Sequence, residues 1–347
     1  MSTPRQTETS PAPGTVQLLP LRGVPEVRAG DDLAGLLTTA LADHGGLRDG
    51  DVLVVTSKVV SKALGLRAPE GSDRDELVLR HAARVVAERR TGERTTRIVE
   101  AHAGPVLAAA GLDASNTGPE GGVLLLPEDP DQAARELHTA LSATRPGTSF
   151  AVVLSDTAGR PWRAGQTDLA LGAHGLAVLD DLRGGTDADG RPLSVTARAV
   201  ADEVAAAADL VKGKAAGVAA ALVRGLVGVT TDAGEGARSL VRTGPSDWFA
   251  LGHREAVRAA LGAPPGSAAA GEVGVPSVAP EPADARGERA VRLALLGHPG
   301  AEVTGTPEEG YAVRSPDPVR AGRVAARLEV ALAGEDLAGV EVTVRGC

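Results

Sequence analysis

Short apolar runs alternate with amphipathic stretches from Thr15 onward. Buried strands are predicted for VQLLPL, for DVLVVTS at 51–57 and for FAVVLSD at 150–156. Helical spacing covers about 33–42, 74–90 and 130–141. A hairpin with Asp189-Gly190 at its tip is predicted between LAVLDDLRGG and RPLSVT. Because hairpins pair antiparallel strands, the sheets are not expected to be purely parallel.

Composition divides the chain into segments. Residues 1–14 are polar and Pro-rich without an apolar core, which predicts a disordered leader and not a signal peptide. A first domain is expected over 15–252. The segment 253–287 begins as a helix, and from Gly262 its Pro, Ala and Gly content predicts a linker. Residues 288–347 predict a small αβ unit of unknown role.

Bulk composition excludes several functions. The net charge of -9 and only five aromatic residues argue against a nucleic-acid partner. No apolar run approaches the length that spans a membrane. The single cysteine, Cys347, permits no internal disulfide, which favours a cytoplasmic location.

Lysine is rare in this chain. Of 36 basic residues only four are lysine, and they fall in two pairs, Lys58 with Lys62 and Lys212 with Lys214. Lysine offers a compact charge to phosphate oxygens where arginine offers a planar fork, so the two do not exchange freely in a phosphate site. The four lysines are therefore the first candidate site residues.

The strand DVLVVTS delivers Ser57, Lys58, Ser61 and Lys62 just beyond its carboxyl end, where α/β proteins commonly bind ligands. If the chain turns helical there, Lys58 and Lys62 share one face and could hold a nucleotide phosphate. The alternative is a solvated cationic turn.

Two further segments carry oxygen ligands. Asp156 and Thr157 end a buried strand before a glycine turn, and Asp113 and Asn116 lie in the loop GLDASNTG. Carboxylate and hydroxyl oxygens suit magnesium or manganese. Both segments could instead only satisfy their own turns.

The stretch GRPWRAGQTD packs Arg160, Trp162, Arg163, Gln166 and Asp168 closely together. Paired arginines can clamp a carboxylate or a phosphate. A surface loop anchored by Trp162 explains the stretch equally well.

Five motifs occur in register between about Val16 and Gly252: LPLRGVPEV, DGDVLVVTSKVVSK, GLDASNTG, SDTAGRPWRAGQTD and VADEVAAAADLVKGK. Together they resemble the coenzyme F420-0:L-glutamate ligase family in its actinobacterial form. The resemblance implies an α+β fold with mixed, largely antiparallel sheets, a homodimer and a GTP-dependent ligase. Such enzymes use Mg²⁺ or Mn²⁺ to join L-glutamate to F420-0 and then add γ-linked glutamates.

The resemblance also assigns roles to residues. GTP would be held by Val24, Pro25, Glu26, Val27, Ser57, Lys62 and Asn116. Metal ions would be bound by Asp113, Asp156 and Thr157. We expect Lys58, Lys62 and Asp156 to act in catalysis while an acyl phosphate forms: the two lysines would steady phosphate charge, and Asp156 would act through the metal that it holds. Weaker candidates for substrate contacts are Arg160, Arg163, Gln166, Asp168, Lys212 and Lys214, although Lys212 and Lys214 could only complement a helix dipole.

About 95 residues follow Gly252, too few for the FMN-binding domain that longer relatives carry, so no FMN is expected. Two other functions remain open from the residues alone. One is an NTP-dependent kinase of a small acid, and the other is a nucleotide sensor without turnover.

Overall fold

A computed structural model describes residues 14–232 and 234–346, so the predicted leader lies almost entirely outside the described residues. The chain divides into two compact units. The first holds described residues up to Ser72, His102–Leu107 and Gly111–Arg242. The second holds Asp73–Ala101, Ala108–Ala110 and the chain from Thr243 onward.

Helices and strands alternate along both units. The strands are β1 (Gln17–Leu21), β2 (Val52–Thr56), β3 (Arg67–Ala68), β4 (Ala82–Thr91), β5 (Arg94–Ala101), β6 (Val106–Ala108), β7 (Val123–Leu124), β8 (Ala151–Arg160), β9 (Arg163–His174), β10 (Asp180–Asp181), β11 (Ala197–Arg198), β12 (Ala220–Arg224), β13 (Glu302–Thr306), β14 (Gly310–Arg314) and β15 (Val342–Val344). The helices are α1 (Leu33–Leu41), α2 (Ser57–Ala63), α3 (Arg74–Arg80), α4 (Pro130–Thr144), α5 (Val200–Lys212), α6 (His253–Ala260), α7 (Ala268–Val273), α8 (Ala283–Leu295) and α9 (Pro318–Gly334).

The first unit is built on a five-stranded sheet in the order β1-β12-β2-β8-β9. The β2–β8 pair is parallel, and the three other neighbouring pairs are antiparallel. The described residues also form the predicted hairpin, in which β10 pairs antiparallel with β11. The prediction of mixed, largely antiparallel sheets in an α+β fold is confirmed.

Both faces of this sheet are covered, which explains why β2 is a continuous apolar run. Leu53 and Val55 pack with helices α1 and α4 on one face. Val52 and Val54 pack with α5 on the other face. The sheet is therefore the middle of three layers.

The second unit corrects one predicted element. Helical spacing predicted a helix over 74–90, but α3 ends at Arg80 and β4 follows it, paired antiparallel with β5. The Ala, Arg and Glu residues of this stretch are good helix formers. Cross-strand pairing outweighs that propensity, because tertiary contacts decide marginal segments.

The same unit orders much of the segment predicted as a linker. Helix α7 and the start of α8 lie within 262–287, and Ala263, Ala270 and Val273 are buried. Small side chains allow close packing there, against a core that includes Leu293 and Leu328. The predicted helix near 318–334 and the final strand are both present. In the described ranges we find no helix long and apolar enough to cross a membrane.

Candidate active site

A cavity of about 470 Å³ lies in the first unit. Four segments supply most of its lining: Val24–Val27, the start of α2, the loop around Asn116, and the chain from Asp209 to Ala219. Thr157 and Asp168 line it from the β8–β9 hairpin. Loops from separate strands thus converge on one concave surface, the usual form of a small-molecule site.

Lys58 joins two acidic segments at this cavity. Its Nζ lies 2.8 Å from Asp113 Oδ2 and 3.0 Å from Asp156 Oδ1. The sheet explains the Lys58–Asp156 approach, because β2 and β8 are parallel neighbours with Thr56 opposite Ser155. Residues that follow those partners therefore emerge side by side. The predicted grouping of Asp113 with Asp156 is present, with a lysine between them.

The electrostatics favour full ionisation of the Lys58–Asp113 pair. Burial alone would raise the pKa of Asp113, but hydrogen bonds from Lys58 and Ser115 outweigh it and lower that pKa to about 2. Burial would lower the pKa of Lys58, yet the two carboxylates raise it. The pKa of Asp156 is raised by burial first, with Asp113 adding to the effect and Lys58 opposing it.

The second lysine of α2 also faces the cavity. Lys62 is buried, and its Nζ donates to Glu26 Oε1 over 2.6 Å. Gly118 has a left-handed backbone with φ of 82°, which favours glycine, and a Cβ there would also meet the end of the Glu26 side chain. Asn116 has a left-handed backbone with φ of 53°, and its Nδ2 donates to the Lys214 carbonyl. That conformation explains the chain's single asparagine, a residue that tolerates it well.

Asp168 organises a buried cluster beside the cavity. It accepts hydrogen bonds from Ser155 Oγ, Thr157 Oγ1 and Lys212 Nζ at 2.8, 2.8 and 2.7 Å. Lys212 also donates to Ser155 Oγ. Burial would raise the pKa of Asp168, but Lys212 and the two hydroxyls lower it. Asp168 and Lys212, predicted as substrate contacts, pair with each other and both line the cavity, so their contact with a substrate stays a prediction.

The remaining predicted residues are placed differently. Ser57 is buried and does not line the cavity, whereas Lys214 does. Arg160, Arg163 and Gln166 lie toward the tip of the β8–β9 hairpin and are not among the lining residues. At that tip Trp162 is 81% exposed, so burial of its ring does not anchor the loop.

The donor set fits a magnesium or manganese ion. Two carboxylates already converge on one positive charge, and Thr157 donates its proton to Asp168, which leaves its oxygen lone pairs available. Within the described part of the chain there is no cluster of three or more His, Cys, Asp or Glu residues arranged to hold a metal. Hard cations take one or two carboxylates from a protein and complete their coordination with water and phosphate oxygens.

Sequence reasoning missed two residues of the site. Ser155 was hidden inside a strand pattern, and only the tertiary structure shows that its hydroxyl accepts a hydrogen bond from Lys212 on α5. Asp209 lines the cavity from the last turn of α5. A signal for it was available, because an acidic residue near a helix carboxyl end opposes the helix dipole.

Buried lysines and carboxylates gathered around one cavity are typical of an enzyme active site. The family model described as F420-0:Gamma-glutamyl ligase matches residues 23–71 and 68–225, more than half of the chain. The chain belongs to this family and is a ligase.

Curated relatives support the same family assignment. A coenzyme F420:L-glutamate ligase from Methanopyrus kandleri is 40% identical over 231 residues, which are 61% of this chain and 88% of the relative. The ligase of that name from Methanothermobacter thermautotrophicus is 40% identical over 227 residues, 60% of this chain and 89% of its own length. That from Halorubrum lacusprofundi is 39% identical over 221 residues, 58% of this chain and 84% of its own.

Proposed function

We propose that this ligase uses GTP and Mg²⁺ or Mn²⁺ to join L-glutamate to the terminal lactyl carboxylate of F420-0, releasing GDP and phosphate. Further γ-linked glutamates follow by the same reaction. The observation that carries the proposal is the convergence of Lys58, Asp113 and Asp156 beside a cavity lined by Val24–Val27, Lys62 and Asn116. The family match and the names of the relatives support the choice of substrates.

The reaction needs activation of a carboxylate, because an amine does not displace oxide from it. Phosphorylation by the GTP γ-phosphate supplies a leaving group. The lactyl oxygen bonds to phosphorus, GDP departs, and the amine then attacks the acyl carbon and releases phosphate. Catalysis of this kind depends chiefly on positioning and on stabilising phosphate charge.

The residues in and beside the cavity have different proposed roles in this reaction. Asp113, Asp156 and Thr157 would hold a divalent cation, which when bound neutralises charge on the transferred phosphoryl group. Lys58 and Lys62 bring two ammonium groups to the cavity, and each is now paired with carboxylates that anionic substrates could replace. Val24–Val27 and Asn116 are proposed to contact the nucleotide. Asp168 fixes the Thr157 hydroxyl and the Lys212 ammonium, so its proposed role is positioning.

The test is to incubate the protein with F420-0, GTP, L-glutamate and Mn²⁺, weigh the products and measure GDP. We expect masses that increase by whole glutamyl residues, with GDP formed in equal amount. GDP formation that does not depend on glutamate would indicate an acid kinase, and nucleotide binding without turnover would indicate a sensor.

A pair of variants ties the activity to the site. Asp156→Ala should abolish glutamylation because it removes a carboxylate that meets Lys58. Asp189→Ala, in the exposed tip of the β10–β11 hairpin, should keep it. Retained turnover in Asp156→Ala with an unchanged fold would refute the site assignment. Homodimer formation, cytoplasmic location and the absence of FMN stay predictions.

A further inference from the structure

Three acidic side chains line the cavity: Glu26, Asp168 and Asp209. Two of them already have a cation, since Glu26 pairs with Lys62 and Asp168 pairs with Lys212. For the Asp209 carboxylate we find no hydrogen bond and no ion pair with any residue of 14–232 or 234–346. Asp209 therefore presents to the cavity a carboxylate that has no direct partner among the described residues.

The surroundings of Asp209 disfavour an anion unless a cation binds there. It lies on the last turn of α5, where the helix dipole is negative. Partial burial and the nearby Asp168 carboxylate raise its pKa, and Lys212 and Lys214 oppose this only in part. Lys212 is itself held by Asp168 and Ser155. The contacts of the described residues show no structural role for the Asp209 carboxylate in this position.

The chemistry of the proposed reaction narrows the choice of ligand for Asp209. GTP and the carboxylate of F420-0 are anions, so the positive groups that must enter the cavity are the divalent cation and the α-ammonium group of the incoming amino acid. Asp113 and Asp156 already converge on one cationic centre at Lys58. Asp168, the acidic neighbour of Asp209, accepts hydrogen bonds from three donors. We therefore do not assign Asp168 as a metal ligand.

We propose that Asp209 binds the α-ammonium group of the incoming amino acid and holds its nitrogen toward the activated carboxylate; the ammonium group loses one proton to water before the nitrogen attacks. This inference rests on the proposed function and adds a subsite to it. A carboxylate is suited to the task because charge-assisted hydrogen bonds to an ammonium group are short and strong. The lactyl acceptor lacks an amine, so the subsite selects the nucleophile only.

The test compares Asp209→Asn with the wild type in steady-state ligation, with KM measured separately for L-glutamate, GTP and F420-0. Glutarate, which resembles glutamate but lacks the amine, is the second probe and is used as an inhibitor. Glu203→Gln is the matched control, because Glu203 lies exposed on the same helix and outside the cavity. Asp209→Glu keeps the charge and displaces it.

We expect Asp209→Asn to raise the KM for glutamate by about 10- to 100-fold, the loss typical of a hydrogen bond to a charged group. The KM for GTP and the inhibition constant of glutarate should stay within about twofold of the wild type, which also shows an intact site. Asp209→Glu should fall between the two, and Glu203→Gln should match the wild type.

Two results would overturn the inference. One is an unchanged KM for glutamate in Asp209→Asn. The other is a parallel rise in the KM for GTP or in the metal concentration required, which would assign Asp209 to the nucleotide or to the cation. Failure of the proposed function is separate, because then the wild type itself shows no glutamate-dependent turnover.

Discussion

At the scale of single residues, Lys58 has two roles that can be separated. It compensates two carboxylates that would otherwise repel each other, and it presents a charge to the cavity. Because of the first role, the stability of the site depends on which positive charge compensates the two carboxylates. A divalent cation could compensate the same pair of carboxylates.

We therefore predict that Lys58→Gln lowers the unfolding free energy by about 3 kcal/mol without divalent ions, because two partly buried carboxylates lose their partner. Added Mn²⁺ should raise the melting temperature of Lys58→Gln more than that of the wild type. Lys214→Gln is the control, since no ion pair of the Lys214 ammonium is found in the described residues. Equal Mn²⁺ responses of Lys58→Gln and the wild type would contradict a cation site at these carboxylates.

Asp168 gives a second residue-scale prediction. Its ion pair with Lys212 has only 4% of either side chain exposed, so Asp168→Asn leaves a buried ammonium without a counter-charge. The expected loss is about 3–5 kcal/mol of unfolding free energy in urea denaturation. Asp181→Asn breaks an exposed pair with Arg183 and should change the unfolding free energy little. Similar effects of both substitutions would show that the buried cluster is not a source of stability.

At the scale of elements, α4 meets β9 through two histidines. His138 stacks on Phe150 with ring centroids 4.4 Å apart and contacts His174 edge-on at 4.8 Å. Burial lowers the pKa of both histidines, and for His174 the neighbouring His138 lowers it further. Charging either ring is therefore costly in the folded state.

The sign of the pH dependence follows. Below the ordinary pKa of 6.5 the unfolded chain binds more protons at these sites than the folded chain, so stability is complete above that pH and falls as pH drops through it. The slope can reach about 1.4 kcal/mol per pH unit for each histidine. His174→Gln should reduce the slope of unfolding free energy against pH between pH 7 and 5. An unchanged slope in His174→Gln would contradict this account.

The same scale shows what sequence patterns could predict. Strands β2 and β8 were predicted because they are continuous apolar runs, and these runs fixed where Lys58 and Asp156 emerge. The stretch 82–91 was predicted as a helix because its residues favour helices, and only its pairing with β5 makes it a strand. The hydrogen bond between Asp168 and Thr157 was not predicted, because the hairpin register that places the two residues opposite each other is not visible in one sequence.

At the scale of the whole molecule, the predicted boundary near 287 does not coincide with a gap in packing. Leu261, Ala263 and Val273 share one core with Leu293 and Leu328. Residues on both sides of the boundary are thus needed to complete the second unit. Residues 288–347 have a structural role, because they supply part of this core.

We predict that a chain ending at Gly287 loses the protease resistance of the second unit and aggregates, because the apolar faces of α6 and α7 become exposed. Limited proteolysis and size-exclusion chromatography measure this. A chain that begins at Gly14 keeps every described core residue and should behave as the full chain does. A soluble, protease-resistant chain ending at Gly287 would show that the boundary is a true domain border.

The central claim is that this cavity activates a carboxylate by phosphorylation before an amine attacks it. The most direct measurement uses F420-0 with ¹⁸O in both oxygens of its lactyl carboxylate, together with GTP, L-glutamate and Mn²⁺. If an acyl phosphate forms, its bridging oxygen leaves with phosphorus, so each lactyl amide, the first amide made on F420-0, should yield one phosphate carrying one ¹⁸O. Unlabelled phosphate released in step with this first amide would contradict the account.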